Sequence, residues 1–295
     1  MADRTGFIGS TDAAPILGLS PWKTAVDVFM EKRSQAEREH FDPQRTKLLN
    51  RGRRLEPVVL QMLADETGIE AVRRNVRYVD KRHPFLAAEI DAETEDERNI
   101  EVKTASIFRM QDWGEVGTDA LPVHYLCQVQ HQMMVTDRTL TIVPVLFGGD
   151  DFKVYEVLRD DEIIEELRKL EVAFWQEYVL PGIPPPPRTA GDILKQFPRD
   201  SGKVVQLPRD CAEAFDTLRR GRQMIRLIEE ENEAIEFRLK ALMADASILE
   251  WEGRPVITWK AQTSKRIDIE RLRAEFPDIA AQLTVSVPSR VFRIK

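Results

Sequence analysis

The chain has 295 residues, 42% of them hydrophobic and 32% charged, with a formal net charge of −7. That is enough apolar material for a core and too much for a disordered chain, while the length favours two domains or one domain with an appendage. The acidic balance argues against a uniformly basic nucleic-acid binder, no run nears the ~20 apolar residues that cross a bilayer, and two cysteines, Cys127 and Cys211, make neither a disulfide framework nor a cysteine metal cage.

The opening "MADRTGFIGS" lacks the apolar stretch of a secretory signal, so the simplest expectation is an intracellular protein. Residues 10–40 read as helical: Ser, Thr and Asp of "STDAAPILG" offer caps, and Ser20 before Pro21 offers a second start. A longer helix is expected from about Lys47 to Thr67, stopped by Gly68. "VRRNVRYVD" and "FLAAEIDAE" are strand-like, "TEDERN" is a polar turn, and "IEVKTA" is the next strand. Pro122 opens a helix through "PVHYLCQVQHQMMVT". "TLTIVPVLF" and "FKVYEV" form a hairpin around "GGDD", and "DDEIIEELRKLEVAFWQEYVL" is an amphipathic helix.

Four consecutive prolines in "PGIPPPPRTAGD" force an extended segment and mark the clearest boundary. They divide the chain into residues 1–187 and 188–295. Beyond them, residues 208–245 read as one long helix. Leu218, Ile225, Asn232 and Leu239 fall seven apart, with Gly221, Ile228, Ile235 and Leu242 between them, a coiled-coil-like seam with one polar position. The tail "LEWEGRPVITWK…RVFRIK" suggests strands around a short helix.

The chemistry begins at "NIEVKTAS". In extended backbone Glu101 and Lys103 point to one face, Ile100, Val102 and Thr104 to the other. Asp91 sits at hairpin distance upstream, on the facing arm. Phosphodiester hydrolysis uses a divalent cation to polarise a phosphoryl oxygen and acidify a water, and Mg²⁺ takes an oxygen shell with few protein ligands. Asp91, Glu101, the Val102 carbonyl and Lys103 would supply such a set, with Glu56 of "RGRRLEP" as a further acid. A Glu-x-Lys pair on a strand is more often a solvent-facing pair, so spacing alone leaves both readings open. "RGRR" and "RRNVR" add local basic clusters in an otherwise acidic chain, which suit phosphate contacts or a solvated surface.

Taken together, four motifs in order resemble the YqaJ-type viral recombinase nucleases, relatives of phage lambda exonuclease in the PD-(D/E)XK superfamily. "RTGFIGSTDAAPILGLSPW" resembles the family's N-terminal signature and "RGRRLEPVV" its acid-bearing helix. "HPFLAAEIDAE" with "IEVKT" resembles its Asp and Glu-x-Lys core, and "HYLCQVQHQMMVT" its Gln helix. The likeness spans about residues 4–180. Ile90 stands before Asp91 where the motif has Pro, and Thr11 stands where relatives have Ser.

The resemblance implies an α/β fold, a mixed central sheet flanked by helices, with the metal site at a sheet edge; the long-helix plus small-sheet module that follows is read from the residue pattern and has no counterpart in the shorter relatives. It implies a nuclease domain over 1–187 and Mg²⁺ (Mn²⁺ substituting) held by Asp91, Glu101 and Val102 with Glu56 accessory. Lys103 would stand beside the attacking water and Gln128 would orient water or phosphate. Arg4 and Thr11 would bind a DNA 5′-phosphate, and Arg51, Arg54 and Tyr125 are candidate DNA contacts. The implied activity is 5′-to-3′ resection of linear double-stranded DNA ends, in a trimeric ring with a single-strand annealing protein as partner. The implied setting is phage or prophage, in a bacterial cytoplasm and off the membrane. Competing readings are a structure-specific or restriction-type endonuclease of the same superfamily, and a non-catalytic DNA-end-binding or assembly subunit. A Cas4-like enzyme would need four cysteines for its iron–sulfur cluster.

Overall fold

The apolar and alternating stretches before residue 160 assemble into one mixed sheet. The structure is a computed structural model that describes residues 4–33, 43–285 and 289–294, and the chain divides into two units, Met1–Gln196 and Phe197–Lys295.

In the first unit the strands are β1 (Arg73–Val79), β2 (Ala87–Glu93), β3 (Asn99–Ile100), β4 (Lys103–Ala105), β5 (Leu140–Phe147) and β6 (Asp151–Leu158). β1, β2 and β3 are antiparallel neighbours. β3 and β4 run parallel to β5 in one continuous register, Asn99 opposite Thr141 and Lys103 opposite Val145. β6 closes the far side of β5 through the Gly148–Gly149 turn.

β5 is buried along nearly its whole length, as expected of a central strand covered on both faces. Its side chains alternate between two cores. Val143, Val145 and Phe147 join a cluster built from α2 (Ala25–Lys32), α4 (Val123–Thr136) and α5 (Asp161–Phe174). Ile142 joins Ala92, Ile100 and the α3 (Pro43–Thr67) residues Leu60 and Leu63 on the other side. The mixed sheet flanked by helices is the architecture expected.

Three local expectations are corrected. "IEVKTA" is not one strand: it breaks at Glu101–Val102. Glu101 N–H still donates to the Ile142 carbonyl at 2.9 Å, but Val102 N–H turns to Asp91 Oδ2 at 2.8 Å. The β2–β3 pairing therefore stops at Ala92 opposite Ile100, and β2 parts from β4. The opening lies where β2 and β4 diverge, along the edge that β4, paired to β5 alone, leaves free.

Near the N-terminus, α1 (Ala13–Leu17) follows a 3-10 turn, and α2 starts at Thr24, not Ser20. Thr24 and Asp27 form a reciprocal capping box. Ser20 Oγ instead accepts from the N–H groups of Trp22 and Lys23 in a turn. Residues 34–40 of the expected helical stretch lie outside the described residues. After the prolines, α6 (Ala190–Gln196) belongs to this first unit, with Asp192 accepting from Thr24 Oγ1 at 2.6 Å and from the Arg188 and Thr189 N–H groups.

In the second unit α7 (Ala212–Met243) forms the long helix, β7 (Ile248–Trp251) and β8 (Arg254–Thr258) a hairpin, and α8 (Ile269–Glu275) and α9 (Pro277–Leu283) two short helices. Residues 289–294 form no strand, so the short helices follow the hairpin and are not flanked by strands on both sides as expected. The apolar stripe of α7 stays open: Ile225, Ile228 and Ile235 are about half exposed. Among the described residues no helix is long and apolar enough to cross a membrane.

Candidate active site

Where β2 and β4 part, the polar groups singled out by spacing meet. Lys103 Nζ donates to Glu101 Oε1 at 2.5 Å and to Gln128 Oε1 at 3.0 Å. Gln128 and Gln132 lie one turn apart on α4, and their amides reach different oxygens of one carboxylate. Gln128 Nε2 donates to Glu101 Oε1 at 2.5 Å, and Gln132 Nε2 to Glu101 Oε2 at 2.6 Å. Asp91 enters from β2, its Oδ2 held by Val102 N–H. Asp91, Glu101, Val102, Lys103 and Gln128 all line a cavity of about 400 Å³.

Charge in this cluster is unbalanced. Burial, and then the neighbouring Glu101 carboxylate, push the Asp91 carboxyl well above its usual range, against the pull of Lys103 and Val102 N–H. Burial and Glu101 also raise Glu56, opposed by Arg74 and Arg53. Burial would lower the Lys103 ammonium, but Glu101 and Asp91 outweigh it and raise it, so Lys103 stays charged. Among the described residues, the one cation close to Asp91 and Glu101 is the Lys103 ammonium, in a partly dry cavity whose lining also carries Glu56 with Arg53, and a small hard cation suits such a paired-acid place. Among the described residues no three His, Cys, Asp or Glu side chains gather as a metal cage. Glu56 shares the cavity without completing such a trio, and the carboxylates of Asp91 and Glu101 are the acid donors beside Val102.

The N-terminal segment forms another wall. Arg4 Nη2 donates to Thr11 Oγ1 at 2.9 Å, and both residues line the cavity. A Cβ at Gly9 would sit 2.7 Å from Arg4 Nη2, so glycine there leaves room for the guanidinium. Behind it Asp12 is buried. Burial would raise its carboxyl, but Lys32 at 2.7 Å and then Arg4 hold it below its usual range. This anchors the segment that carries Arg4 and Thr11.

Helical phase sorts the basic cluster of α3. Leu49, Gly52, Arg53 and Glu56 line the cavity at spacings of three and four, so Arg53 joins the site. Arg51 and Arg54, the candidate contacts from sequence, are exposed and do not line it. Tyr125 lies beside the cluster, with Lys103 Nζ 4.7 Å from its ring centroid. His124 packs edge-on against Trp22. Burial, with Lys103 and Arg109, lowers it to about 4, so its ring is neutral near pH 7. His131 is structural: it bonds Glu171 at 2.9 Å and the Ala87 carbonyl at 3.0 Å. Gln132 was missed by sequence reasoning; its only signal was a position one turn from Gln128.

Residues 1–139 match the family model of the YqaJ-like viral recombinase domain, a span that holds every residue lining the cavity. The whole chain aligns with the protein described as "Uncharacterized protein YqaJ" of Bacillus subtilis (strain 168), at 28% identity over 310 residues and 93% of that relative's length. Among solved structures, an alkaline exonuclease (LHK-Exo) from Laribacter hongkongensis superposes with a TM-score of 0.48 and 17% identity, over 60% of this chain and 89% of that one. A phage-related exonuclease from Haemophilus somnus 129PT gives 0.40 and 13%, over 59% and 93%.

Proposed function

We propose that this chain, with its YqaJ-like viral recombinase domain, is a metal-dependent deoxyribonuclease that resects linear duplex DNA from a 5′ end. The observation that carries the reading is the convergence of Asp91 and Glu101 beside Lys103 and Gln128, with Arg4 and Thr11 on another wall of the same cavity.

Asp91, Glu101 and the Val102 carbonyl would hold a divalent cation, Mg²⁺ by the hardness and small number of the oxygen donors. When bound, such an ion polarises a phosphoryl oxygen and lowers the pKa of a water. The chain's own groups do the rest. Lys103 is a charged donor that can leave Glu101 for a non-bridging phosphate oxygen or the attacking water. Gln128 offers an amide donor and acceptor at the same point, which orients whichever of the two it meets. Arg4, already bonded to Thr11, presents a guanidinium to a terminal phosphate dianion. A protein of net charge −7 can do this because phosphate contacts are local.

Resection polarity, a closed trimeric ring and an annealing partner belong to the same proposal and rest on the recombinase likeness, whereas a role for the C-terminal unit in assembly or docking rests on the open apolar stripe of α7. The test is incubation of the full chain with Mg²⁺ and three duplexes: linear with 5′-phosphate, linear with 5′-hydroxyl, and covalently closed circular. Loss of the linear DNAs alone, with the phosphorylated end preferred, is the expected result. Cutting of the circle would make it an endonuclease, and no degradation of any DNA would leave a binding subunit.

A further inference from the structure

We propose that Gln132 is a positioning residue for Glu101: it fixes Oε2 from behind and thereby assigns Oε1 as the oxygen presented to a bound cation. The proposal rests on the metal-site reading above and adds a division of labour between the two glutamines of α4.

The two amides differ in where they stand. Gln128 lines the cavity; Gln132 does not, and its side chain is wholly buried. Gln132 Nε2 reaches Glu101 Oε2 at 2.6 Å and, more weakly, the Glu89 carbonyl at 3.4 Å. Lys103 and Gln128, the two groups open to the cavity, both act on Oε1. One oxygen is thus held by a donor that no substrate or ion can reach, and the other by donors that can be exchanged. Asp91 repeats the pattern: Val102 N–H holds Oδ2, and among the described residues Oδ1 accepts no hydrogen bond. Each acid is tethered through one oxygen and presents the other.

The cost of this arrangement argues against a mere packing role. Gln132 Oε1 is buried and has no partner among the described residues, an unfavourable state that an apolar side chain of the same length would avoid. Reversing the amide would not help, since its carbonyl oxygen would then face the Glu101 carboxylate. The orientation is set by the acid it serves.

Gln130, two residues away, is the internal control. It is also buried, but it donates to the Leu158 carbonyl at 2.8 Å and accepts from Asp160 N–H at 3.1 Å, touching neither acid. The experiment is a Mn²⁺ titration of the full chain without DNA, followed by electron paramagnetic resonance of the free ion. Thermal melting is recorded on every sample. Gln132→Met should weaken Mn²⁺ binding about 10–100-fold, the usual effect of losing a group that orients a metal ligand, while the fold persists. Gln130→Met should lower the melting temperature and leave the Mn²⁺ affinity unchanged. Gln132→Leu serves if Gln132→Met does not fold. Wild-type affinity in a folded Gln132 variant overturns the positioning role. Failure of both Gln132 variants to fold makes it a core residue and also overturns it. Absence of Mn²⁺ binding by the wild-type chain would instead defeat the metal-site reading itself.

Discussion

Asp91 and Glu93 stand two residues apart on β2, and their surroundings are opposite. Glu93 receives Arg138 Nη2 at 2.5 Å and Tyr78 Oη at 2.5 Å, and pairs with Arg73 as well. Burial would raise its carboxyl, but Tyr78 and Arg138 more than compensate and hold it below its usual range. Asp91 has one backbone donor and a second carboxylate for company, and is pushed up. One strand therefore carries a satisfied acid that holds the fold and an under-compensated acid that weakens it. Buried charge without enough partners persists where something else is to bind.

The sharpest way to break this contrast is at the unbalanced site. Glu101→Ala and Lys103→Ala should each cut DNA hydrolysis by at least about 10²–10³-fold in protein that remains folded. Full activity in either folded variant would remove it from the reaction.

Next in size is an opposition of sign between the two β2 acids. Glu93→Gln leaves Arg138 buried without its anion and should destabilise by about 3–5 kcal/mol. Asp91→Asn relieves repulsion with Glu101 while keeping an acceptor for Val102 N–H, so it should raise the melting temperature of the metal-free protein even as cleavage is lost. Equal destabilisation by both would erase the distinction.

A third matched pair tests the pH side. Burial would lower His131, but Glu171, with the Ala87 carbonyl and the charge of Asp12 adding to it, raises the imidazole above its ordinary 6.5. The stability this pair contributes is fully present below the ordinary value and declines as pH rises through the raised folded value. Urea unfolding between about pH 6 and pH 9 should show this decline, and Glu171→Gln should remove it.

The smallest expected effect is on end preference. Arg4→Ala should slow digestion of 5′-phosphorylated ends more than 5′-hydroxyl ends, by about tenfold if one charge-assisted bond is lost. Equal slowing on both would make Arg4 a general backbone contact.

Strand alternation was enough to place Glu101 and Lys103 on one face, and the hairpin spacing brought Asp91 opposite. The break between β3 and β4 was not legible, because it depends on a side chain taking a backbone donor from the ladder: Asp91 captures Val102 N–H. Gln128 was picked out only through the family resemblance, whereas Gln132 reads as any polar helix residue until Glu101 is seen within reach. The choice of Arg53 over Arg51 and Arg54 turns on the rotation of α3 about its axis, which charge clusters do not encode. The heptad stripe of α7 was visible as a pattern, but a pattern does not say what covers it, and in the structure its isoleucines remain half open.

The central claim is that Asp91 and Glu101 are held together to take up a cation. The direct measurement is the melting temperature of the full chain with and without saturating Mg²⁺, in wild type, Asp91→Asn and Glu93→Gln. Binding at about 100 times the dissociation constant stabilises by about 2.7 kcal/mol. The account predicts a Mg²⁺-dependent rise in wild type and in Glu93→Gln, and none in Asp91→Asn. A rise that survives in Asp91→Asn, or no rise in wild type, would contradict it.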